Sequence, residues 1–368
     1  MNEPLTVTRL LTRKNALDQS RLDIRTQALA LADGEVWLTL DRFALTTNNI
    51  TYAAFGDSMR YWNFFPTGEA DWGHVPVWGF ADVMASRVPG IAVGERFYGY
   101  FPVASHVRMQ PVRVTRRGFY DGAPHRQALT SAYNQYTRCS ADPVYTRADE
   151  DCQMLLRPLF ITSFMLADFL VDNAFFGARR LLFSSASSKT AFGTAFCLQG
   201  VEGIEQVALT SKRNRAFVDG LGCYPVSVGY DDLEMLATDT PTLYVDFSGD
   251  DALRERVHAH FGAALVYDCF AGSAQKAQAP NHAPLPGPQP VFHFAPVQIR
   301  KRNADWGPQV VNQRFGEAQR RFIAHLSRPG NAWMRRVEHR GFVAAQQLIA
   351  DLHDGRTRPI EGHVVLLG

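Results

Sequence analysis

The sequence has no C-x-x-C pair, and its five cysteines (Cys139, Cys152, Cys197, Cys223 and Cys269) are scattered along 368 residues. An odd, unspaced set of thiols argues against a disulfide framework and a cysteine-rich zinc lobe, and it fits buried thiols in a reducing compartment. Charge of one sign is lacking too: 38 Lys plus Arg face 36 Asp plus Glu, for a formal net charge of +2. Nucleic acid or an anionic membrane calls for a basic surplus gathered on one face, so neither is expected as a partner. A local basic cluster would still suit a small phosphate-bearing ligand. Long hydrophobic runs are missing. The most apolar stretches, around Leu155–Phe176 and Phe192–Leu198, are broken by Arg157, Asp168, Asp172 and Gly200, short of the roughly 18 apolar residues that a membrane span needs. The opening Met1-Asn2-Glu3-Pro4-Leu5-Thr6 has neither a basic n-region nor an apolar h-region, and a cytoplasmic protein is expected.

What is present is an ordinary globular mix, 46% hydrophobic and 20% charged, over a length that suits two cores. The first third is strand-rich. Glu35–Leu45, Val75–Gly79 and Gly94–Pro102 are short β-prone runs bounded by Gly or Pro, as in a compact barrel-like domain. The pattern changes near Asp149. Leu155–Phe176 has helical spacing, with Gly177 as its stop. Strands at Arg180–Ser184, Gln206–Thr210, Thr242–Asp246 and Ala264–Tyr267 then alternate with helices at Thr190–Gln199, Arg213–Leu221 and Asp250–Phe261. That rhythm makes a parallel sheet covered on both faces. Ala277–Pro290, rich in Pro, Ala and Gln, reads as a surface loop or lid hinge. Helices at Gln313–His325 and Phe342–Leu352 and a strand at Gly362–Leu367 close the chain. The boundaries predicted are residues 1–140 with 313–368 for a β-rich domain and 141–312 for the parallel unit.

This order resembles the medium-chain dehydrogenase/reductase superfamily, in which a GroES-like domain is interrupted by a Rossmann domain. Four places carry the resemblance. Thr46–Tyr52 looks like the N-F-x-D segment of the quinone-oxidoreductase branch, with Asn49 on the Asn and Tyr52 on the Asp. Pro76–Val83 and Gly90–Gly99 are similar to the family's P-x-x-G-x-E-x-x-G and G-D-x-V-x-G turns. Leu181–Gly193 sits where the nucleotide loop belongs, and Phe342–Ile349 through Gly355-Arg356 to Gly362–Val365 matches the closing helix, turn and strand. Leu45–Ala53, Ser185–Ala191 and Phe294-Ala295-Pro296 look like a branch of the superfamily known only as a domain of unknown function. The resemblance implies an α/β fold, a GroES-like domain plus a Rossmann doubly wound sheet, and a nicotinamide cofactor. It also implies, by analogy, a homodimer.

The family's zinc ligands are not matched. The first ligand position falls within Asn48–Thr51, Ala81 replaces the Glu of the G-x-E turn, and the four-Cys lobe is missing. No metal is expected, and His74 and His106 are read as surface or hydrogen-bonded core residues. A Rossmann loop uses Gly so that backbone N–H groups can approach the pyrophosphate. Here it reads Ser184-Ser185-Ala186-Ser187-Ser188-Lys189-Thr190, with only Gly193 kept further on. Ser185, Ser187, Ser188 and Thr190 offer hydroxyl donors and Lys189 a positive charge for phosphate. A helix cap with no ligand is the plainer alternative. The spacing matches neither a P-loop nor S-x-x-K, and no G-x-S-x-G elbow occurs. After the second strand, Ser211, Lys212 and Arg213 stand where NAD-preferring proteins carry an acid, which favours NADP(H). Tyr230 matches a position near the adenine end.

For the reacting end, Tyr52 is the expected proton donor, neutral at pH 7 because a phenol titrates near 10, and Asn49 a positioning group. A core aromatic with a satisfied hydroxyl is the alternative for Tyr52. Tyr52, Phe55, Tyr61, Trp62, Phe64, Phe65, Trp72 and Trp78 form an aromatic-dense stretch that suits an apolar pocket or a plain core. Arg300, Lys301, Arg302 and Asp305 beside Trp306 suit carboxylate or phosphate, or a solvated basic turn. The expectation is a zinc-independent NADP(H)-dependent reductase of a small carbonyl or activated alkene. Two alternatives keep the fold: a cofactor-free lyase or hydrolase acting on an acyl substrate, and a non-enzymatic binding protein.

Overall fold

Strand Val36–Leu45 buries most of its length and pairs antiparallel with Pro76–Ser86, which pairs in turn with Arg96–Pro102. These strands lie at the centre of a nine-stranded sheet, which the strand Glu361–Leu366 from the far end of the chain joins beside Val36–Leu45. A computed structural model describes residues 4–143, 145–272, 285–326, 328 and 333–368. It divides into two compact units, one running to Leu155 and resuming over Arg336–Gly368, the other being Leu156–Arg335.

The first unit is the expected β-rich domain, built on the apolar faces of Leu38, Leu40, Phe43, Val77, Phe97 and Phe101. Its helix Gly341–His353 adds Ala345, Leu348, Ile349 and Leu352 to the same core. A hairpin of Pro4–Arg13 and Ala16–Ala28, which the sequence pattern did not reveal, forms a separate sheet with Trp72–Gly73. The unit reaches past residue 140 because Glu150 is drawn into it. The Glu150 side chain is fully buried and meets Arg96 Nε at 2.6 Å.

The second unit holds six parallel strands. Counted in chain order, Arg180–Phe183, Glu205–Thr210, Val226–Gly229, Thr242–Asp246, Leu265–Phe270 and Pro290–Phe292 lie across the sheet as 3-2-1-4-5-6. This is the doubly wound Rossmann order, whose direction reverses between the first and fourth strands. The two strands absent from the sequence prediction, Val226–Gly229 and Pro290–Phe292, are the outermost. Neither carries an apolar run for periodicity to detect.

Three further differences have packing reasons. The boundary placed at 313 falls inside the helix Pro308–Leu326, whose Phe322 stacks on Phe160 at 4.4 Å between centroids, so the helix belongs with the parallel unit. Ala295–Trp306, read as a carboxylate or phosphate site or a solvated basic turn, is a helix. Its Arg302 lies over Trp306 and pairs with Asp168 at 2.6 Å and Asp172 at 2.9 Å, and Lys301 pairs with Asp172 and Asp305 at 2.9 Å each. These two cations are therefore engaged with protein carboxylates. Among the described residues one helix, Arg147–Asp172, is long and apolar enough to cross a membrane, and 56% of its apolar window is buried. Ile161, Phe164 and Met165 pack against Ala295 and Val311, the use that a core helix makes of such a face. Of the expected hinge Ala277–Pro290, residues 277–284 lie outside the described residues.

Candidate functional site

In a doubly wound sheet, ligands bind outside the carboxyl ends of the strands at the point of reversal. Here that point is made by the turns after Phe183 and Asp246. Ser184 Oγ joins them: it donates to Asp246 Oδ1 at 2.6 Å and accepts from the N–H of Phe247 at 2.8 Å and of Ser248 at 3.1 Å. Asp246 is fully buried. Its Oδ1 also accepts from Ser248 N at 2.8 Å and Ser248 Oγ at 2.7 Å, and its Oδ2 pairs with Arg254. Arg254 continues to Asp268 at 3.0 Å, which meets His258 Nε2 at 2.9 Å, and His258 Nδ1 faces the Pro286 carbonyl at 2.8 Å. Sequence reasoning missed this buried chain. Its one visible signal was an acid ending the apolar run Thr242–Asp246.

The serine loop lies above it. Ser185 has a φ of 45°, the left-handed region that a glycine usually fills. Its N–H donates to Tyr230 Oη at 3.0 Å, so Tyr230 folds back on the loop itself, and burial pushes this phenol up. Ser187 Oγ accepts from Asn214 Nδ2 at 3.2 Å. Ser188 is the N-cap of the helix Lys189–Cys197, its Oγ accepting from Ala191 N at 3.3 Å. Lys189 is the first residue of that helix and half-buried. The Thr190 carbonyl accepts from Ser163 Oγ at 2.8 Å. A Cβ at Gly193 would lie 2.7 Å from Ser163 Oγ, so any larger residue there needs the Ser163 side chain or the helix to shift. The capping and the phosphate-loop readings thus share residues: Ser188 caps, while Lys189 opens the helix beside it.

After the second strand, Ser211 precedes the turn Lys212–Asn214. Ser211 Oγ is buried and has no hydrogen-bond partner among the described residues, while Lys212 and Arg213 are exposed. An orphaned hydroxyl beside two exposed cations is a donor set that suits an anionic group such as a ribose 2′-phosphate.

The other unit gathers the aromatic stretch. Asn49 and Tyr52 belong to the helix Thr47–Ala54. Asn49 Oδ1 accepts from Thr46 N at 2.8 Å and Thr46 Oγ1 at 3.1 Å, and its Nδ2 donates to the Pro76 carbonyl at 2.8 Å. Its side chain therefore fixes the start of the helix and ties it to strand Pro76–Ser86. Tyr52 is buried among Tyr61, Tyr100 and Tyr133, with ring centroids at 4.8, 5.6 and 5.9 Å. Its hydroxyl accepts from Trp78 Nε1 at 3.3 Å. Burial raises its pKa, opposed by the bonds from Trp78, Asn48 and Tyr133. Tyr61, Phe64, Phe55, Phe65 and Trp78 join this cluster, whereas Trp62 packs in the main core and Trp72 lies under Arg21 at 4.6 Å. Tyr100 and Tyr133, which come from later in the chain, were not foreseen.

Among the described residues no group of three or more His, Cys, Asp or Glu side chains is arranged to hold a metal. His74 is buried, and burial with the nearby Arg9 charge pushes it down to about 3. His106 shares a hydrogen bond with Ser105 Oγ at 2.9 Å.

A sequence profile described as "Protein of unknown function (DUF2855)" matches residues 43–358. No curated protein matches the chain. Among solved structures, the chain is similar to CurA from Vibrio vulnificus in complex with NADPH, with a TM-score of 0.62 and 12% identity, covering 98% of this chain and 99% of that one. It is also similar to a putative NADPH:quinone reductase from Bacillus thuringiensis (TM-score 0.59, 12% identity, 99% and 100% covered). A third is the yhdH oxidoreductase from Salmonella enterica in complex with NADP (TM-score 0.54, 13% identity, 99% and 100% covered). At such identities the likeness establishes the fold alone, a GroES-like unit plus a Rossmann unit.

Proposed function

The chain belongs to the DUF2855 family, proteins of unknown function, and on that premise we propose that it is a zinc-independent, NADP(H)-dependent reductase of a small carbonyl or activated alkene. The observation that carries this reading is the buried, partnerless Ser211 Oγ beside exposed Lys212 and Arg213 at the end of the second Rossmann strand. Nicotinamide cofactors accompany this fold in the CurA and yhdH structures, whose descriptions name NADPH and NADP. In this chain Ser211, Lys212 and Arg213 would hold the 2′-phosphate. Ser185, Ser187, Ser188, Lys189 and Thr190 would face the pyrophosphate, with Tyr230 bracing the loop through Ser185. When bound, the cofactor supplies a hydride. Tyr52 supplies the proton, and Asn49 sets the helix that presents it. Tyr52 is neutral at pH 7, since burial raises a phenol already near 10.

The experiment is a fluorescence titration with NADPH, NADH and their oxidised forms. Selective NADPH binding, lost in Lys189→Ala and turned towards NADH by roughly 10-fold or more in Lys212→Ala with Arg213→Ala, supports the reading. The loop also supports a second reading. The N–H groups of Ser185, Ala186 and Ser188 already have partners within the protein, as a loop without nucleotide would. Absence of binding for all four forms would sink the reductase and favour cofactor-free chemistry on an acyl substrate, or a binding protein.

A further inference from the structure

His258 is fully buried, and each of its ring nitrogens meets an oxygen. Nδ1 lies 2.8 Å from the Pro286 carbonyl oxygen, and Nε2 lies 2.9 Å from Asp268 Oδ2. Neither a carbonyl nor a carboxylate has a hydrogen to give. A neutral imidazole carries one N–H, so it satisfies one of these oxygens and turns a bare lone pair on the other. Asp268 Oδ2 also accepts the Arg254 Nε–H at 3.0 Å, and a hydrogen placed on that oxygen rather than on the ring would face the guanidinium.

The charges point the same way. Arg254 pairs with both Asp246 and Asp268, so two carboxylates share one guanidinium. None of these side chains, nor that of His258, is more than 1% exposed, and an unbalanced charge so far from water is costly. A cationic ring makes the count even. Among the other groups beside them, Asp251 reaches Arg254 Nη1 at 3.7 Å from the solvent side. Burial keeps the Tyr244 phenol and the Cys269 thiol neutral.

We propose that His258 is a buried imidazolium that works as a latch, one N–H holding the Pro286 carbonyl and the other closing the ionic network, and that the latch opens when alkaline pH strips the ring of its second hydrogen. Pro286 stands just ahead of the outermost strand Pro290–Phe292. At the far end of the network, Asp246 is bonded to Ser184 in the turns where the sheet order reverses. One proton thus ties the approach to the edge of the sheet to the turns at its centre. When that proton leaves to water, a lone pair faces an oxygen across less than a hydrogen-bonded contact can tolerate, and the network is left with one negative charge in excess.

The test uses the whole chain with nitrogen-15 histidine, the His258 ring being assigned through bonds to its own backbone, so that no variant is needed. At about pH 7.5 both ring nitrogens are expected to show an attached hydrogen in one-bond correlation spectra. A ring with one bare nitrogen at that pH would overturn the proposal, and is the result if Asp268 keeps the hydrogen. The second measurement is amide exchange at His293, whose N–H donates to the Phe270 carbonyl at 2.9 Å, corrected for the intrinsic effect of pH. His258→Gln, whose amide cannot span both oxygens, is expected to speed this exchange by roughly 10-fold at neutral pH. Wild type is expected to approach the variant's rate at the pH where its ring loses the second hydrogen, while the variant stays flat. Equal rates in the two at neutral pH would refute the latch. If His258→Gln does not fold, the wild-type course decides: ring and amide must change together, and separate midpoints would refute it too. Neither measurement uses a nucleotide, so the latch and the reductase reading fail independently.

Discussion

Ser184 and Asp246, 62 residues apart, share a 2.6 Å hydrogen bond that ties the turn after the first Rossmann strand to the turn after the fourth. The bond lies where the order of the sheet reverses, so the two turns that would border a dinucleotide are held together by side chains rather than by glycine-mediated close packing. Asp246 in turn anchors Arg254, Asp268 and His258. The loop's geometry thus depends on a buried ionic network beneath it.

Asp246→Asn should leave Arg254 short of one carboxylate and lower stability by about 3–5 kcal/mol, the range for breaking a buried pair from one side. Ser184→Ala, which strips an acceptor from two N–H groups, should cost about 1–3 kcal/mol. Urea unfolding at constant m-value measures both. A change under 0.5 kcal/mol in Asp246→Asn would show that the network carries no stability.

Gly193→Ala should destabilise the parallel unit by about 1–3 kcal/mol, because the new methyl would lie 2.7 Å from Ser163 Oγ and 3.1 Å from its Cβ. Adding Ser163→Ala should recover part of that loss, although it removes the bond to the Thr190 carbonyl. A double-mutant cycle reads the coupling, and additive effects would mean that the helix shifts to accept the methyl.

Asn49→Ala removes the acceptor for Thr46 N and the donor to the Pro76 carbonyl. A loss of about 1–2 kcal/mol is expected, with Asn49→Asp recovering the cap but not the tie to Pro76. If Asn49 instead served only a substrate, thermal melts of Asn49→Ala and wild type would coincide.

Two buried histidines, one from each unit, are held below their usual value: His74, pushed down to about 3 by burial and the Arg9 charge, and His293, pushed down to about 4 by burial. With folded values below the usual 6.5, the unfolded chain takes up protons that the folded chain refuses as pH falls. Stability is therefore full above about pH 7 and declines from about 6.5 down to 4 for His293 and down to 3 for His74. At about 1.36 kcal/mol per pKa unit, His293 alone accounts for a loss of roughly 3 kcal/mol by pH 4. His293→Leu should flatten that acid limb in urea titrations run from pH 7 to 4. An unchanged slope would refute the assignment.

The two-domain order and most of the Rossmann strands were legible because buried strands and amphipathic helices write their period into the chain. Arg180–Phe183, Glu205–Thr210, Thr242–Asp246 and Leu265–Phe270 lie where apolar runs placed them to within a few residues, bar the longer reach of the fourth. The lost glycines and the Ser211-Lys212-Arg213 turn were likewise plain in one dimension, since each is a local run of residue types. Tertiary structure alone decided who meets whom. It brought Tyr133 to Tyr52 across 81 positions and Asp246 to Ser184 across 62. It claimed Arg302 for Asp168 and Asp172, and left Tyr100 and Ser211 with buried hydroxyls lacking partners among the described residues. Hydrogen bonds and desolvation depend on distance in space, which sequence periodicity does not encode. The sequence by itself therefore determined the scaffold, and packing determined which of its polar atoms find partners.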